Sequence, residues 1–443
     1  MKKLMAVWLV LALLLASCGA ATAEKEITDI RLTETAEGLA YSFRCASRPY
    51  LLLQYKDADE SGKLVLTGKD GLYEGVIALS RLQTANQLKV TIRTTSESTL
   101  YETTVALKNA KAPAKLKADK GAAGKVTDLT LTPGEREMSF SFTAQGHHQV
   151  RVVVSSVLQK MEYLLNEQED GVFSDTLKLP CVNARDLVTI TIQSVTGKQL
   201  AKAQERTLFV PPDVGETAAE GPLKGVKVCI DPGHQALPVY GGRVYIYPGS
   251  TKLVSGGSNG MAQGKSTLRK ESICVLEISY RICRMMRALG AEVVMTRWIE
   301  EVSIKNMERA DYANEQKADY CFRIHLNAND KPNSKGIYVY GPLNSPYARE
   351  ALPFEQYRDT AQTILDAMLA ATGVQGGTVR MRDQFIGNNW AKMPTFLLEC
   401  GFLTTPSDDW MLTTDDYQDK IARGVTDGLV AVVEGRLSHF ESH

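Results

Sequence analysis

The sequence predicts a multidomain protein: two N-terminal β-sandwich-like repeats followed by an α/β domain with a mostly parallel sheet flanked by helices. Three observations predict it. The first is an internal repeat, in which ITDIRLTETAEGLAYSF (residues 27–43) matches VTDLTLTPGEREMSFSF (residues 126–142). The second is the alternation of apolar and polar residues within each copy, as in Leu39-Ala40-Tyr41-Ser42-Phe43, which is the period of a strand with one buried face. The third is a change of pattern from Gly225 onward, where short apolar runs interleave with segments of helical period. Strands alternating with helices imply a parallel sheet covered on both faces. The length agrees, because 443 residues exceed one ordinary core of about 100–200 residues.

The chain opens on Met1-Lys2-Lys3 and an uncharged apolar run, LMAVWLVLALLLAS, residues 4–17. A charged start followed by so short an apolar run is a secretory signal peptide, since a spanning helix needs about 20 apolar residues. Leu15-Ala16-Ser17-Cys18 reads as a lipobox, which would make Cys18 a lipidated mature N-terminus with a membrane anchor. Ala21-Thr22-Ala23 is the competing cleavage site, releasing a soluble protein that begins at Glu24. Either way the protein is exported to the cell envelope, and the lipid anchor is the preferred reading. The segments are therefore residues 1–23 (signal peptide), 24–108 (first repeat), 109–125 (linker), 126–210 (second repeat), 211–224 (linker) and 225–437 (α/β domain).

Further correspondences hold the repeats together: DGLYEGVIAL (70–79) answers DGVFSDTLKL (170–179), and Val90-Thr91-Ile92 answers Ile190-Thr191-Ile192. Immunoglobulin-like or fibronectin-like is the nearest description of each, by pattern alone. Neither shows an aromatic row that would form a sugar platform, so their expected role is to bind the cell wall or a protein partner, or to space the α/β domain from its anchor. The Lys/Ala/Gly-rich stretch of residues 108–125 reads as a solvated spacer. Net charge is zero, with 51 basic and 51 acidic residues, which argues against a nucleic-acid partner. The eight cysteines form no CxxC pair, and Cys229, Cys321 and Cys400 sit in the apolar runs VCI, YCF and LEC, so buried free thiols are expected.

In the α/β domain strands are expected at 225–230, 292–296, 320–324, 336–340 and 395–399, and helices at 271–289, 304–317, 354–371 and 417–433. Of six histidines, His147 and His148 fall in the second repeat and His439 and His443 on the tail. Only His234 and His325 lie within the α/β domain, each following a strand. Glu399 also ends a strand, and Glu271 opens a helix after a Gly/Ser-rich stretch. Ligands of open α/β sheets bind at the carboxyl ends of strands, so His234, His325 and Glu399 should converge there. Two histidines and a carboxylate make a catalytic zinc set that leaves a fourth position for water. On spacing alone, Glu271 and Glu399 each suit either the ligand or the proton-handling role. Cys400 alternates with Glu399 and faces the other way.

Five motifs then carry a resemblance: Asp231-Pro232-Gly233-His234 after an apolar strand, Glu271 in RKESICVLEIS, Thr296-Arg297 with ERADYAN (308–314), Arg323-Ile324-His325-Leu326-Asn327, and Pro394 to Phe402 carrying Glu399. Residues 225–435 resemble the zinc-dependent N-acetylmuramoyl-L-alanine amidases of type 3, which cut bacterial peptidoglycan. The resemblance implies that His234, Glu271 and His325 bind one zinc ion and that Glu399 is the catalytic acid/base. The bond cut would be the amide between N-acetylmuramic acid and L-alanine. Gln235, Arg323 and Thr405 depart from the commoner Gly, Ser and Asn, which bears on substrate detail. A zinc peptidase acting within the stem peptide is permitted by the same metal set, and a non-catalytic wall-binding protein is the reading from another class. Retention of all four site residues speaks against the latter. The long segment 236–268 is expected to line or cover the cleft, Arg380, Arg382, Asn388, Asn389 and Trp390 to form a second loop near substrate, and Arg297, Arg309 and Asn314 to brace loops.

Overall fold

The computed structural model describes residues 26–35, 38–57, 60–78, 87–107, 124–257, 260–331 and 333–441. The expected leader with Cys18 and most of the Lys-rich spacer lie outside the described residues.

Each repeat forms seven strands. In the first they are β1 (Thr28–Glu34), β2 (Gly38–Arg44), β3 (Tyr50–Lys56), β4 (Glu60–Thr67), β5 (Leu72–Ala78), β6 (Gln87–Thr94) and β7 (Thr99–Ala106). Their counterparts are β8 (Val126–Pro133), β9 (Glu137–Ala144), β10 (Gln149–Ser155), β11 (Gln159–Asn166), β12 (Val172–Lys178), β13 (Leu187–Ser194) and β14 (Gln199–Arg206). Alternation explains them. β9, EMSFSFTA, buries Met138, Phe140, Phe142 and Ala144 and leaves the residues between them half-buried. A three-stranded antiparallel sheet, β1-β2-β5 or β12-β9-β8, supplies one side of each core. In the first core Leu39, Phe43, Tyr73 and Ile77 meet Leu51, Leu53, Val90 and Ile92. The stacked Phe43–Tyr73 pair, with ring centroids 4.9 Å apart, recurs as Phe142–Phe173 at 5.2 Å.

The remaining strands make one sheet of eight, in the order β14-β13-β10-β11-β4-β3-β6-β7. The repeats are joined because β11 pairs antiparallel with β4, Met161 opposite Glu60 and Gln159 opposite Gly62. An edge strand presents unpaired N–H and C=O groups, and here each repeat covers part of the other's edge. Residues 211–224 run along the α/β unit. Leu223 is buried there, its N–H donating to Leu289 O at 2.9 Å.

The α/β unit contains β15 (Lys227–Pro232), a small hairpin of β16 (Arg243–Tyr245) and β17 (Leu253–Ser255), β18 (Glu292–Met295), β19 (Tyr320–Asn327), β20 (Ile337–Gly341), β21 (Gly377–Met381) and β22 (Thr395–Phe402). Its helices are α1 (Glu271–Ala288), α2 (Asn306–Glu315), α3 (Pro346–Ala351), α4 (Phe354–Thr372), α5 (Ile386–Asn389), α6 (Pro406–Leu412) and α7 (Asp415–Glu441). The central sheet has the order β18-β15-β19-β22-β20-β21 and is mixed: β20 runs antiparallel to β22, while the other neighbouring pairs are parallel. The reason lies in the short connection 328–336. A parallel return needs a crossover of roughly a dozen residues or more, and this link is shorter.

Period two sorts the sheet into faces. Val228, Ile230, Phe322, Ile324, Phe396, Leu398 and Cys400 enter the main core with α1, α4 and α7. Cys229 and Cys321 lie in a smaller cluster with Ala310 and Ala313 of α2. Asp231, Arg323, His325 and Glu399 continue this second face at the strands' carboxyl ends. The helix α1 stops where Gly290 takes φ +94°, the left-handed conformation that ends many helices. All seven described cysteines are buried free thiols, as expected from their apolar settings.

Candidate functional site

The strand β15 ends in a turn whose left-handed residue is the histidine itself: His234 has φ +56°. A non-glycine residue there is uncommon and is held by its surroundings. Gly233 N–H donates to Ile324 O at 2.9 Å. Two buried arginines grip the turn's carbonyls. Arg297 donates to Pro232 O and Gly233 O, both at 2.9 Å, and Arg309 to Pro232 O at 2.7 Å and His234 O at 2.9 Å. The bracing expected of Arg297 and Arg309 is therefore specific to the segment that presents His234. Asn314 does the same for a second loop, donating to Trp390 O at 3.0 Å.

Glu271 enters from the first turn of α1. Its Oε1 accepts from Leu326 N at 2.9 Å and lies 3.1 Å from His325 Nδ1. Its Oε2 accepts from Ala262 N at 2.8 Å and lies 3.2 Å from His234 Nε2. One donor atom from each of His234, Glu271 and His325 falls within 4.8 Å of the others. In the parallel β19–β22 ladder His325 is the direct partner of Glu399, so both project from one face. The structure thus brings together all four predicted residues and separates the two glutamates' surroundings, which spacing alone left equivalent.

Electrostatics separates them too. Burial alone would raise the Glu271 carboxyl, but the imidazoles of His234 and His325 hold it well below the usual carboxylate range. Burial pushes His325 down to about 4 against the pull of Glu271, so its imidazole is neutral at neutral pH. Glu399 is pushed up to about 8 by burial and then by the Glu271 charge. The Nε2 of His325 and the Oε2 of Glu399 are enclosed and have no hydrogen-bond partner among the described residues. The neutral imidazole of His325 beside that of His234, an ionised Glu271 carboxylate and enclosed polar atoms without partners fit a divalent cation of the zinc type.

Behind the histidines sits a network that the motifs did not reveal. Asp231, 1% exposed, accepts from Thr296 Oγ1 at 2.6 Å, Arg309 Nη1 at 2.7 Å and Arg323 Nε at 2.7 Å. The available signal was the acid itself, because a buried aspartate ending an apolar strand requires partners. The network also accounts for two departures. Arg323 reaches Asn306 Oδ1 and Asn388 Oδ1 besides Asp231, and Gln235 Oε1 accepts from Ile304 N and Arg309 Nη2. Both are inward-facing braces.

One expectation about the loops is corrected, that for Asn388 and Asn389, and the other loop gains internal structure. Segment 236–268 contains the β16–β17 hairpin, and it is tied to the region of α5 by Trp390 Nε1 donating to Tyr245 O and Asn389 Nδ2 donating to Ile246 O. Asn388 and Asn389 are fully buried and spend their amides on backbone carbonyls, among them Tyr340 O and Asp383 O, so they hold the fold instead of facing substrate. Arg380 lies in β21 and stacks over the Tyr338 ring, 4.7 Å from its centroid.

An α/β sheet whose carboxyl edge carries a His-His-Glu group able to hold a metal ion, with a second carboxyl beside it, defines the class: a hydrolase-type metal site on an open sheet. Residues 228–431 match the family model described as N-acetylmuramoyl-L-alanine amidase. The relatives include the N-acetylmuramoyl-L-alanine amidase LytC of Bacillus subtilis, 29% identical over 194 residues that make up 44% of this chain and 36% of the relative. The germination-specific N-acetylmuramoyl-L-alanine amidase of Bacillus subtilis is 26% identical over 210 residues, 44% of this chain and 81% of its own length. Among solved structures, that of an N-acetylmuramoyl-L-alanine amidase from Clostridium difficile 630 has 25% identity, covers 48% of this chain and 98% of that one, and gives a TM-score of 0.38. The chain therefore spans only about a third of the first relative's own length.

Proposed function

We propose that this protein is a zinc-dependent peptidoglycan hydrolase that cleaves the amide between N-acetylmuramic acid and L-alanine. The observation that carries the reading is the group His234, Glu271 and His325, with donor atoms within 4.8 Å, beside Glu399 as the register partner of His325. His234, Glu271 and His325 would hold the ion. When bound, zinc lowers the pKa of a water from about 15.7 toward about 7 and polarises a carbonyl. Glu399 takes the proton of the attacking water at its carboxylate and returns it to the departing amine of L-alanine. Its raised affinity for a proton, near 8 before any cation is bound, suits the return step, and a neighbouring cation would ease the first. Glu271 supplies a charge that stays ionised, and the backbone N–H groups of Leu326 and Ala262 keep its two oxygens in place.

The domain reading that accompanies this is two β units, residues 24–108 and 126–210, ahead of the catalytic unit at 225–437. Export and lipidation at Cys18 rest on the N-terminal residues alone. Among the described residues no helix is long and apolar enough to cross a membrane. The substrate is polymeric peptidoglycan of the envelope, consistent with the cell-wall naming of relatives such as LytH of Staphylococcus aureus.

The test is digestion of purified peptidoglycan with wild type and Glu399→Gln, with bound zinc measured in both. Loss of about 10²–10⁴ in rate with zinc retained is expected for removal of a general acid/base. New amino groups on residues other than L-alanine, or zinc retained by His234→Ala, would refute the assignment.

A further inference from the structure

The two repeats contain the same hairpin turn, but where one has glycine at the left-handed position the other has glutamate. In β6–β7, Thr94 N donates to Ser98 O, Glu97 N to Thr94 O, and Ser98 N to Thr94 Oγ1. In β13–β14, Ser194 N donates to Lys198 O, Gly197 N to Ser194 O, and Lys198 N to Ser194 Oγ. The third turn position is left-handed in both, with φ +89° at Gly197 and +70° at Glu97. Glycine occupies such a conformation freely, whereas a residue with a Cβ is strained in it. The second repeat keeps glycine although nothing lies within 4 Å of where its Cβ would stand. The first repeat carries a glutamate at the strained position, so its side chain is the feature to explain.

That side chain crosses to the catalytic unit. Glu97 Oε1 accepts from Lys63 Nζ at 2.6 Å within its own repeat, and from Trp410 Nε1 at 3.3 Å and Ser266 Oγ at 3.4 Å across the boundary. Lys63 Nζ also lies over the Trp410 ring, 4.6 Å from its centroid. Beside the buried Trp410 on α6, the fully buried Asp409 accepts from Ser266 N at 2.7 Å, Thr267 N at 2.9 Å and Thr267 Oγ1 at 2.5 Å. The loop thus fastened runs straight into α1. Gly264 N donates to Arg269 O at 2.8 Å, Glu271 N to Ala262 O at 3.0 Å, and Ala262 N to Glu271 Oε2 at 2.8 Å.

We infer that Glu97 is a positioning residue for the metal site: the first repeat's hairpin latches the loop that orients Glu271, so metal affinity in the catalytic unit depends on the β repeat. The inference rests on Glu271 being a metal ligand. It gives the N-terminal repeats a role beyond spacing, and it predicts that a force or ligand that displaces the first repeat loosens the catalytic metal.

The full chain is compared with Glu97→Gly and Glu97→Gln by zinc competition against a chromophoric chelator, with His234→Ala as the reference for a broken site. Glu97→Gly installs the residue the sibling turn already uses, so the repeat folds while the latch is lost. Loss of a charge-assisted contact of this partly exposed kind predicts a fall in zinc affinity of about three- to tenfold, with Glu97→Gln in between because its carbonyl still accepts from Trp410 and Ser266. If wild type binds zinc more tightly than His234→Ala but Glu97→Gly equals wild type, the latch is overturned and the metal site stands. If wild type and His234→Ala bind zinc alike, the ligand assignment fails and this inference fails with it.

Discussion

Replacing Asp231 with asparagine removes the carboxylate that pairs with two buried arginines. Arg309 is 2% exposed and Arg323 is 4% exposed, and each donates to Asp231 at 2.7 Å. Arg297, also 2% exposed, already shows the excess of positive charge: burial, then the nearby Arg309, push its guanidinium down to about 9. Breaking a buried pair from one side costs about 3–5 kcal/mol, because the remaining charge is left without compensation. The volume is unchanged, so almost none of this is cavity formation. At about 2–4 °C per kcal/mol for a unit of this size, the catalytic unit's transition should fall by roughly 6–20 °C. Differential scanning calorimetry of the full chain measures this. Adding Arg323→Ser removes one stranded cation and should recover part of the loss, a coupling that a double-mutant cycle reads directly. A fall of less than about 1 kcal/mol in Asp231→Asn would mean that the arginines find water or other acceptors, and the network would not be what holds the turn at His234.

Two more outcomes follow from the same geometry. Burial alone would raise the Asp231 carboxyl, but Arg309 and Arg323 hold it well below the usual range. A depressed folded-state pKa contributes stability that is present above the unfolded value near 4 and lost as pH falls through the folded one. The stability gap between wild type and Asp231→Asn should therefore narrow below about pH 4 in urea titrations, and a gap that widens there would contradict the sign. At Gly233 an added Cβ would stand 2.4–2.6 Å from Cε1, Nε2 and Nδ1 of His325. Gly233→Ala should thus displace that ring and lower zinc affinity by at least about tenfold, as chelator competition would reveal, given that misplacing even a supporting group costs about 10–100-fold. Unchanged affinity would mean that the ring has room to move without leaving the metal.

Much of the architecture is legible in one dimension because it depends on periodicity. Alternation in EMSFSFTA sets a buried face before any partner strand is known, and the helical spacing of Ile273, Leu276, Ile278, Ile282, Cys283 and Met286 does the same for α1. The positions of His234, His325 and Glu399 after apolar strands were likewise enough to bring them to one sheet edge. The three shorter helices α3, α5 and α6, the strand β21 and the β16–β17 hairpin are not legible in the sequence. They are too brief for a period to register, and backbone and side-chain contacts with distant residues hold them.

The sequence by itself determined the repeat, the change from strands to a mixed strand–helix pattern, and the choice of residues able to hold a metal. These are properties of neighbours along the chain. Tertiary structure decided that the repeats share one sheet through β4 and β11, that β20 runs against its neighbour, and that Glu271 lies between the two imidazoles while Glu399 stands apart with its proton affinity raised. It also decided that Arg323 and Gln235 face inward and that Glu97, unlike Gly197, has a partner to reach. Each of these depends on which distant charge or donor lies within a few ångströms, and a carboxylate's role is set by those neighbours more than by its own place in the chain.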